Sequence, residues 1–278
     1  MNYFKLLCTA FLTAVLCVTL ATSCSEEDDN PDNLQDGKRL SKIEHHENDG
    51  WISTFQYANG KLVKAKWHPS AGFVNITYSG SKVTVIADDD EDGEGGFGLT
   101  FQLNSNGFAE SGTITLYDDY TGTFTCEYSN GYLTKINFDY PASEDDSRIE
   151  INYDNNGNIL TACRYYYDQW REENRTEEVG FTSSDYPTQG KSYFLLGDCF
   201  GSDYALDLFW PAYYAGILGK DPQNLASKYE YNDGPTNSFS FTKDFNYTFD
   251  DGYVETMKIK LTYPSGNFYE DNVSFTYE

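Results

Sequence analysis

One recurring unit constrains the fold of this chain more than any other feature: an alternating apolar and polar run ending in a large anchor residue, an Asn-Gly or related turn, and a second alternating run. It reads Phe55-Gln56-Tyr57-Ala58-Asn59-Gly60-Lys61-Leu62, Ile76-Thr77-Tyr78-Ser79-Gly80 and Phe101-Gln102-Leu103-Asn104-Ser105-Asn106-Gly107. Two more copies are Cys126-Glu127-Tyr128-Ser129-Asn130-Gly131-Tyr132-Leu133 and Ile151-Asn152-Tyr153-Asp154-Asn155-Asn156-Gly157-Asn158-Ile159. The anchors Tyr57, Tyr78, Leu103, Tyr128 and Tyr153 lie 21, 25, 25 and 25 residues apart, room for one hairpin per unit. Asn and Gly accept the positive φ that two-residue hairpin turns need to match the twist of the strands they join. Alternation sends Phe55 and Tyr57 to one face of the sheet and Gln56 to the other. Successive hairpins of this kind build an antiparallel meander.

Composition agrees: aromatics make up 17% of the residues, with 24 Tyr and 19 Phe, as suits half-buried pleated surfaces. One segment breaks the alternation. Asp203 to Leu218 is dense in apolar and aromatic residues, and Gly219-Lys220 follows as a helix stop. Pro211 is tolerated only in a first helical turn, which predicts one short helix over 211–218, with Asp221-Pro222 capping a further turn. Hairpin patterning resumes at Tyr229 and runs through Phe239–Phe249, Tyr253–Tyr263 and Val273–Tyr277. The expected class is all-β: an antiparallel meander of repeated hairpins rolled into a barrel-like or strongly curved sheet, a single β-rich domain over residues 39–278.

Residues 1–23 read as a lipoprotein signal peptide: Lys5, an apolar run from Leu6 to Leu20, and small Ala21-Thr22-Ser23 before Cys24. The run is too short to span a bilayer, which takes roughly 20 apolar residues. Leu20-Ala21-Thr22-Ser23-Cys24 resembles a lipobox with its large apolar residue one place early, so Cys24 is expected to be the acylated first residue of the mature chain. Residues 24–38 continue after Cys24 as Ser25-Glu26-Glu27-Asp28-Asp29-Asn30-Pro31-Asp32, an anionic run with the composition of a flexible tether. The expected address is the outer membrane, displayed at the cell surface or facing the periplasm.

Removing the signal removes Lys5 and takes the formal charge from -25 to -26. Nucleic acid is excluded as a partner on this ground, because binding it needs a basic patch. Cys126, Cys163 and Cys199 remain after Cys24; with no paired C-x-x-C spacing, they are expected as buried small hydrophobes.

The lipidated start with its acidic tail, the hairpin units and the segment Ala215-Gly216-Ile217-Leu218-Gly219-Lys220-Asp221-Pro222-Gln223-Asn224-Leu225 together resemble a Bacteroidota lipoprotein family, domain of unknown function 4595 with a porin-like fold. The resemblance covers roughly residues 40–278. It implies a rolled antiparallel sheet closed around or plugged by the helix, and it brings no catalytic residues. A membrane-embedded sheet is disfavoured by the acidic interruptions Asp118-Asp119, Glu144-Asp145-Asp146 and Glu172-Glu173, since lipid-facing strands keep charge off one face.

Candidate chemistry is sparse. Asp88, Asp90 and Asp92, followed by Gly93, match the front half of a calcium loop, but Leu99 stands where the bidentate Glu belongs, so calcium is at most a weakly held ion and no other cofactor is expected. His45-His46-Glu47 is the one histidine cluster and reads as a surface loop, because adjacent strand residues face opposite ways. Sugar-stacking aromatics are the better prospect, with Tyr165, Tyr166, Tyr167 and Trp170 as ligand-binding candidates beside Trp51 and Trp67. The expected function is a non-enzymatic, lipid-anchored binding or scaffold module, with a glycan or another envelope protein as partner and membrane contact through the lipid only. The alternative is an envelope glycan or peptidoglycan hydrolase using a carboxylate pair. Mass spectrometry of the mature N-terminus checks the anchor: an acylated Cys24 is expected, and a free Cys24 overturns it.

Overall fold

Among the described residues, alternation and turn chemistry produce sixteen strands. They are β1 (Leu40–His45), β2 (Ile52–Ala58), β3 (Lys61–Lys66), β4 (Val74–Ser79), β5 (Lys82–Ala87), β6 (Phe97–Leu103), β7 (Ala109–Leu116) and β8 (Tyr120–Ser129). The second half comprises β9 (Tyr132–Asp139), β10 (Ser147–Tyr153), β11 (Ile159–Asp168), β12 (Glu173–Pro187), β13 (Asn224–Asn232), β14 (Ser240–Asp250), β15 (Tyr253–Thr262) and β16 (Phe268–Tyr277). The computed structural model describes residues 37–47, 51–66, 72–87, 96–116, 120–140, 146–168, 172–191, 193, 195–200, 206, 208–232 and 240–278. Every strand pairs antiparallel with its sequence neighbour, and β1 pairs with β16, so the sheet closes into a barrel. The rolled meander read from the sequence is therefore a complete cylinder.

Each sequence unit is one hairpin, as its spacing requires. At the β8–β9 turn Asn130 and Gly131 have φ of 54° and 84°, the left-handed pair that a two-residue hairpin needs. The turns after β2, β4, β6, β8, β10 and β14 gather at one end of the barrel, together with Lys38, Glu278 and the long β12–β13 connection. The remaining connections, including the short β15–β16 turn, lie at the other.

The two faces of the sheet differ sharply. Along β8, Phe124 and Cys126 are buried inward, whereas Thr121, Thr123, Thr125 and Glu127 are exposed outward. On β9 and β10, Ile136, Phe138, Ile149 and Ile151 face in and Lys135, Asn137, Arg148, Glu150 and Asn152 face out. This is the reverse of a lipid-embedded porin barrel, whose outer band is apolar and whose lumen is polar.

Sixteen strands enclose more room than wall side chains alone can fill. The β12–β13 connection fills it. It contains α1 (Leu195–Cys199) and α2 (Trp210–Tyr214), and its Phe200, Leu206, Phe209, Trp210 and Ala212 are buried in the barrel core. Phe209 packs against Phe101, Phe124 and Phe138 at centroid distances of 5.5, 4.8 and 5.5 Å, and Tyr214 against Phe55 at 4.5 Å. Burying one such ring contributes about 1.5–3 kcal/mol.

Two expectations for this segment need correction. The helix expected over 211–218 covers Trp210–Tyr214 only, and residues 215–218 continue as turns. Asp221-Pro222 caps no helix; that stretch is irregular, and Asp221 pairs with Lys191 at 2.8 Å. The reason is that residues 217–224 are stitched to the barrel rim. Ala109 donates to the Ile217 carbonyl, Lys220 to that of Gly131 and Gln223 to that of Gly157, at 2.8, 2.8 and 3.1 Å. Backbone groups used this way cannot also serve a helix. At Gly219, with φ of 92°, an added Cβ would lie 2.6 Å from the Gly131 carbonyl oxygen.

The recurring tyrosines lock the same rim. Tyr78 donates its hydroxyl to the Leu62 carbonyl, Tyr128 to Ala109, Tyr153 to Leu133 and Tyr247 to Ala226, at 3.0, 2.8, 3.0 and 2.7 Å. In each case the ring on one strand reaches back to the preceding strand. Burial pushes Tyr57 and Tyr78 up to about 12, and Tyr128, Tyr153, Tyr247 and Tyr277 also above the usual tyrosine range. An unfolded tyrosine titrates near pH 10, so the stabilisation from these neutral rings is whole below that pH and is lost as pH rises through the folded values. Urea-unfolding midpoints are expected to hold up to about pH 10 and fall steeply between about pH 10 and 12. Tyr153→Phe, which removes the hydrogen bond to the Leu133 carbonyl, should lower neutral-pH stability by about 1 kcal/mol.

Candidate functional site

Charged residues appear on the inward face in two places. On β11 and β12, Arg164, Tyr166 and Asp168 share a face with the buried Ala162, opposite Glu177, Arg175 and Glu173. Arg164 Nη1 donates to Glu177 Oε2 at 3.3 Å and its guanidinium lies 4.0 Å from the Tyr166 ring centroid. Tyr166 donates its hydroxyl to Glu177 Oε1 at 3.0 Å, and Arg175 pairs with Asp168 at 3.7 Å.

The second cluster ties the plug to the wall. Asp198, on α1, accepts from Lys243 Nζ on β14 at 2.6 Å, from the Tyr229 hydroxyl on β13 at 2.6 Å and from the Tyr193 hydroxyl at 3.4 Å. Burial, with the Asp198 charge next, holds Tyr229 and Tyr193 far above the usual tyrosine range, so both remain neutral donors. The Tyr193 ring also lies 6.1 Å from the His45 ring. His45 pairs through Nδ1 with Asp271 at 2.7 Å. The surface-loop reading of His45 is thus corrected: it ends β1, buried, on the same face as Ile43.

Between the plug and the wall, at the Lys38 end of the barrel, lies a hollow of about 900 Å³ counting its opening to solvent, with about 70 Å³ of clear interior space. Leu133, Phe181, Leu196, Leu218, Met257 and Phe275 supply apolar surface, and Tyr153, Tyr193, Tyr213 and Tyr247 add ring faces and edges. Lys220 and Asp221 also line it, and Lys220 is the exposed member of the lining.

The sequence candidates fall differently. Alternation divides the tyrosine run: Tyr166 faces in and is engaged by Glu177, whereas Tyr165 faces out beneath the Arg148 guanidinium, 4.4 Å from its ring centroid, with Tyr167 on that outer face. Tyr165 and Tyr167, with Arg148, Asn137 and Asn174, line a shallow open groove. Trp170, the calcium-loop residues Asp88, Asp90 and Asp92, and Cys24 lie outside the described residues. Among the described residues no group of three or more His, Cys, Asp or Glu side chains is placed to hold a metal ion. Cys126, Cys163 and Cys199 are buried and free.

Asp198, Lys243, Arg164, Glu177 and Asp271 were not singled out from the sequence. For the four on strands a signal existed: Lys243, Arg164, Glu177 and Asp271 each sit on the parity of their strand that is otherwise apolar, as Asp271 does with Val273 and Phe275, whereas Asp198 lies on α1.

Fold and site define a class: a closed sixteen-stranded antiparallel barrel, polar outside, with a lumen filled by its own chain. The chain belongs to the family described as a domain of unknown function (DUF4595) with porin-like fold, whose model matches residues 45–256. A porin-like protein from Bacteroides uniformis is similar in structure, with a TM-score of 0.64 at 20% identity over 86% of this chain and 96% of that one. A porin-like protein from Bacteroides vulgatus gives 0.60 at 14% identity, over 87% and 99%. At these identities the likeness establishes the fold alone. No curated protein matches the chain.

Asp198→Ala should leave the Lys243 ammonium buried without its counterion and lower stability by about 3 kcal/mol in urea unfolding. Adding Lys243→Met is expected to recover most of that loss, the signature of coupling between the two side chains.

Proposed function

We propose that this barrel is a non-enzymatic binding or scaffold module of the bacterial envelope, tethered to the outer membrane by lipid on Cys24 with the barrel itself in water. The observation that carries the reading is the exchange of faces: threonines and charges outside, apolar side chains and a plug inside. A porin-like fold fits an envelope location. Conduction, however, needs a wet lumen, and an outer face rich in Thr, Lys and Glu gains nothing from lipid contact.

The carboxylate chemistry weighs against the hydrolase alternative. Such an enzyme needs one acid held protonated in an apolar setting. The inward Asp198, Glu177 and Asp271 instead face Lys243, Arg164 and His45, and their oxygens are taken up by those partners. The outer aromatics Tyr165 and Tyr167 supply the sugar-facing version of the binding reading, and the hollow beneath the plug supplies an apolar one. Planar-bilayer recording with the purified protein tests the central point. No channel steps are expected, and reproducible unitary conductance would overturn the reading.

A further inference from the structure

The hollow between plug and wall has a chemistry that specifies its occupant. Three of its four tyrosine hydroxyls are already committed: Tyr153 to the Leu133 carbonyl, Tyr247 to that of Ala226 and Tyr193 to Asp198. Asn224 donates its side-chain amide to the Ser184 carbonyl at 3.0 Å, and Asp221 holds Lys191. What these groups still present to the hollow is ring surface, set among Leu133, Phe181, Leu196, Leu218, Met257 and Phe275. A guest with polar groups along its length would lose its water and find few partners there, at a cost of roughly 1–3 kcal/mol per unpaired group. An apolar guest loses nothing of that kind.

The size is limiting as well. About 70 Å³ of clear space, at roughly 10–15 Å³ per water-sized position, takes a short run of carbons and not a fused ring system. The remainder of a longer guest must lie toward the opening. There Lys220 is exposed, and among the described residues no carboxylate lies within 4 Å of its ammonium group. Its backbone is fixed by the hydrogen bond to the Gly131 carbonyl, and its aliphatic stem lies near Gly131, so the charge is held at the lip. The negative charge of the whole chain is screened beyond about 8–10 Å, and the neighbouring Asp221 is paired with Lys191, which leaves a local excess of positive charge at Lys220.

We propose that the hollow binds a single-chain amphiphile with an anionic head, such as a fatty acid, with its hydrocarbon end between plug and wall and its carboxylate beside Lys220. Lys38 lies at this end of the barrel, its amide nitrogen 3.0 Å from the Tyr253 hydroxyl. The inference deepens the binding-module reading and depends on it, but the two fail separately: loss of amphiphile binding would leave the conductance result where it stands.

The test is titration of the full chain, carrying Cys24→Ser to remove its own acyl group, with the fluorescent fatty acid cis-parinaric acid. Saturable binding at one site per chain is expected, displaced by dodecanoate. Leu196→Trp, which fills the hollow, should weaken binding by about tenfold or more, a loss of roughly 1.4 kcal/mol. Lys220→Glu should weaken parinarate while leaving displacement by uncharged 1-dodecanol unchanged. Non-saturable binding, or affinity unaltered in both variants with the fold intact by circular dichroism, overturns the proposal. Should Leu196→Trp fail to fold, photolabelling of the chain with a diazirine fatty acid decides the matter. Adducts within residues 181–183, 193–196 or 213–226 support the site, and adducts only on outer-face residues refute it.

Discussion

A sixteen-stranded cylinder with an apolar inner wall cannot stand empty, and the rest of the structure depends on how that lumen is filled. Wall residues Phe101 and Phe124 touch directly, and Phe101, Phe124, Phe138 and Phe55 all pack against rings delivered by the plug, chiefly Phe209, Trp210 and Tyr214. Without those rings the inner wall would expose its apolar surface to water or collapse. The plug is consequently the central part of the core, and the closed sheet is its container.

Two kinds of bond fix the plug. At the rim, backbone groups of Ile217, Lys220 and Gln223 join the first residue of β7 and the turns after β8 and β10, which explains why the stretch from Ala215 to Gln223 is irregular. Deeper in, Asp198 binds Lys243, Tyr229 and Tyr193, and Tyr193 abuts His45 and thereby the His45–Asp271 pair closing β1 onto β16. Barrel closure and plug position thus share residues. Buried ion pairs of this kind add little net stability over apolar contacts, but a missing partner is costly, so they select one seating of the plug among the many that an apolar filler would accept.

Much of this fold was legible in the chain because hairpins are local. Asn130-Gly131 and its counterparts announce turns, alternation announces faces, and the anchors from Tyr57 to Tyr153 count strands in pairs. The resemblance to a porin-like family carried closure and plugging as implications. Three things were hidden. The bond between β1 and β16 joins Arg39 to Glu278 at opposite ends of the described chain, and nothing local encodes it. The short helix at Leu195–Cys199 has too few residues to show a period. The buried charges look like surface residues by composition; only their parity, with Arg164 beside Ala162 and His45 beside Ile43, places them inside. The tyrosine run from 165 to 167 shows the same rule in reverse, since adjacency in sequence put its members on opposite faces. Asp88, Asp90, Asp92, Trp170 and Cys24 lie beyond the described residues, and their roles rest on the sequence alone.

The central claim is that the outer face meets water and the inner face meets the plug. Single cysteines placed in turn along β8 at Thr121, Thr123, Phe124 and Thr125, and probed with a membrane-impermeant maleimide without detergent, test it directly, since the native thiols among the described residues are buried. The account predicts rapid labelling at the three threonine positions and protection at 124. Protection at 121, 123 and 125 with ready labelling at 124 would mean a lipid-facing wall around a wet lumen, and would contradict it.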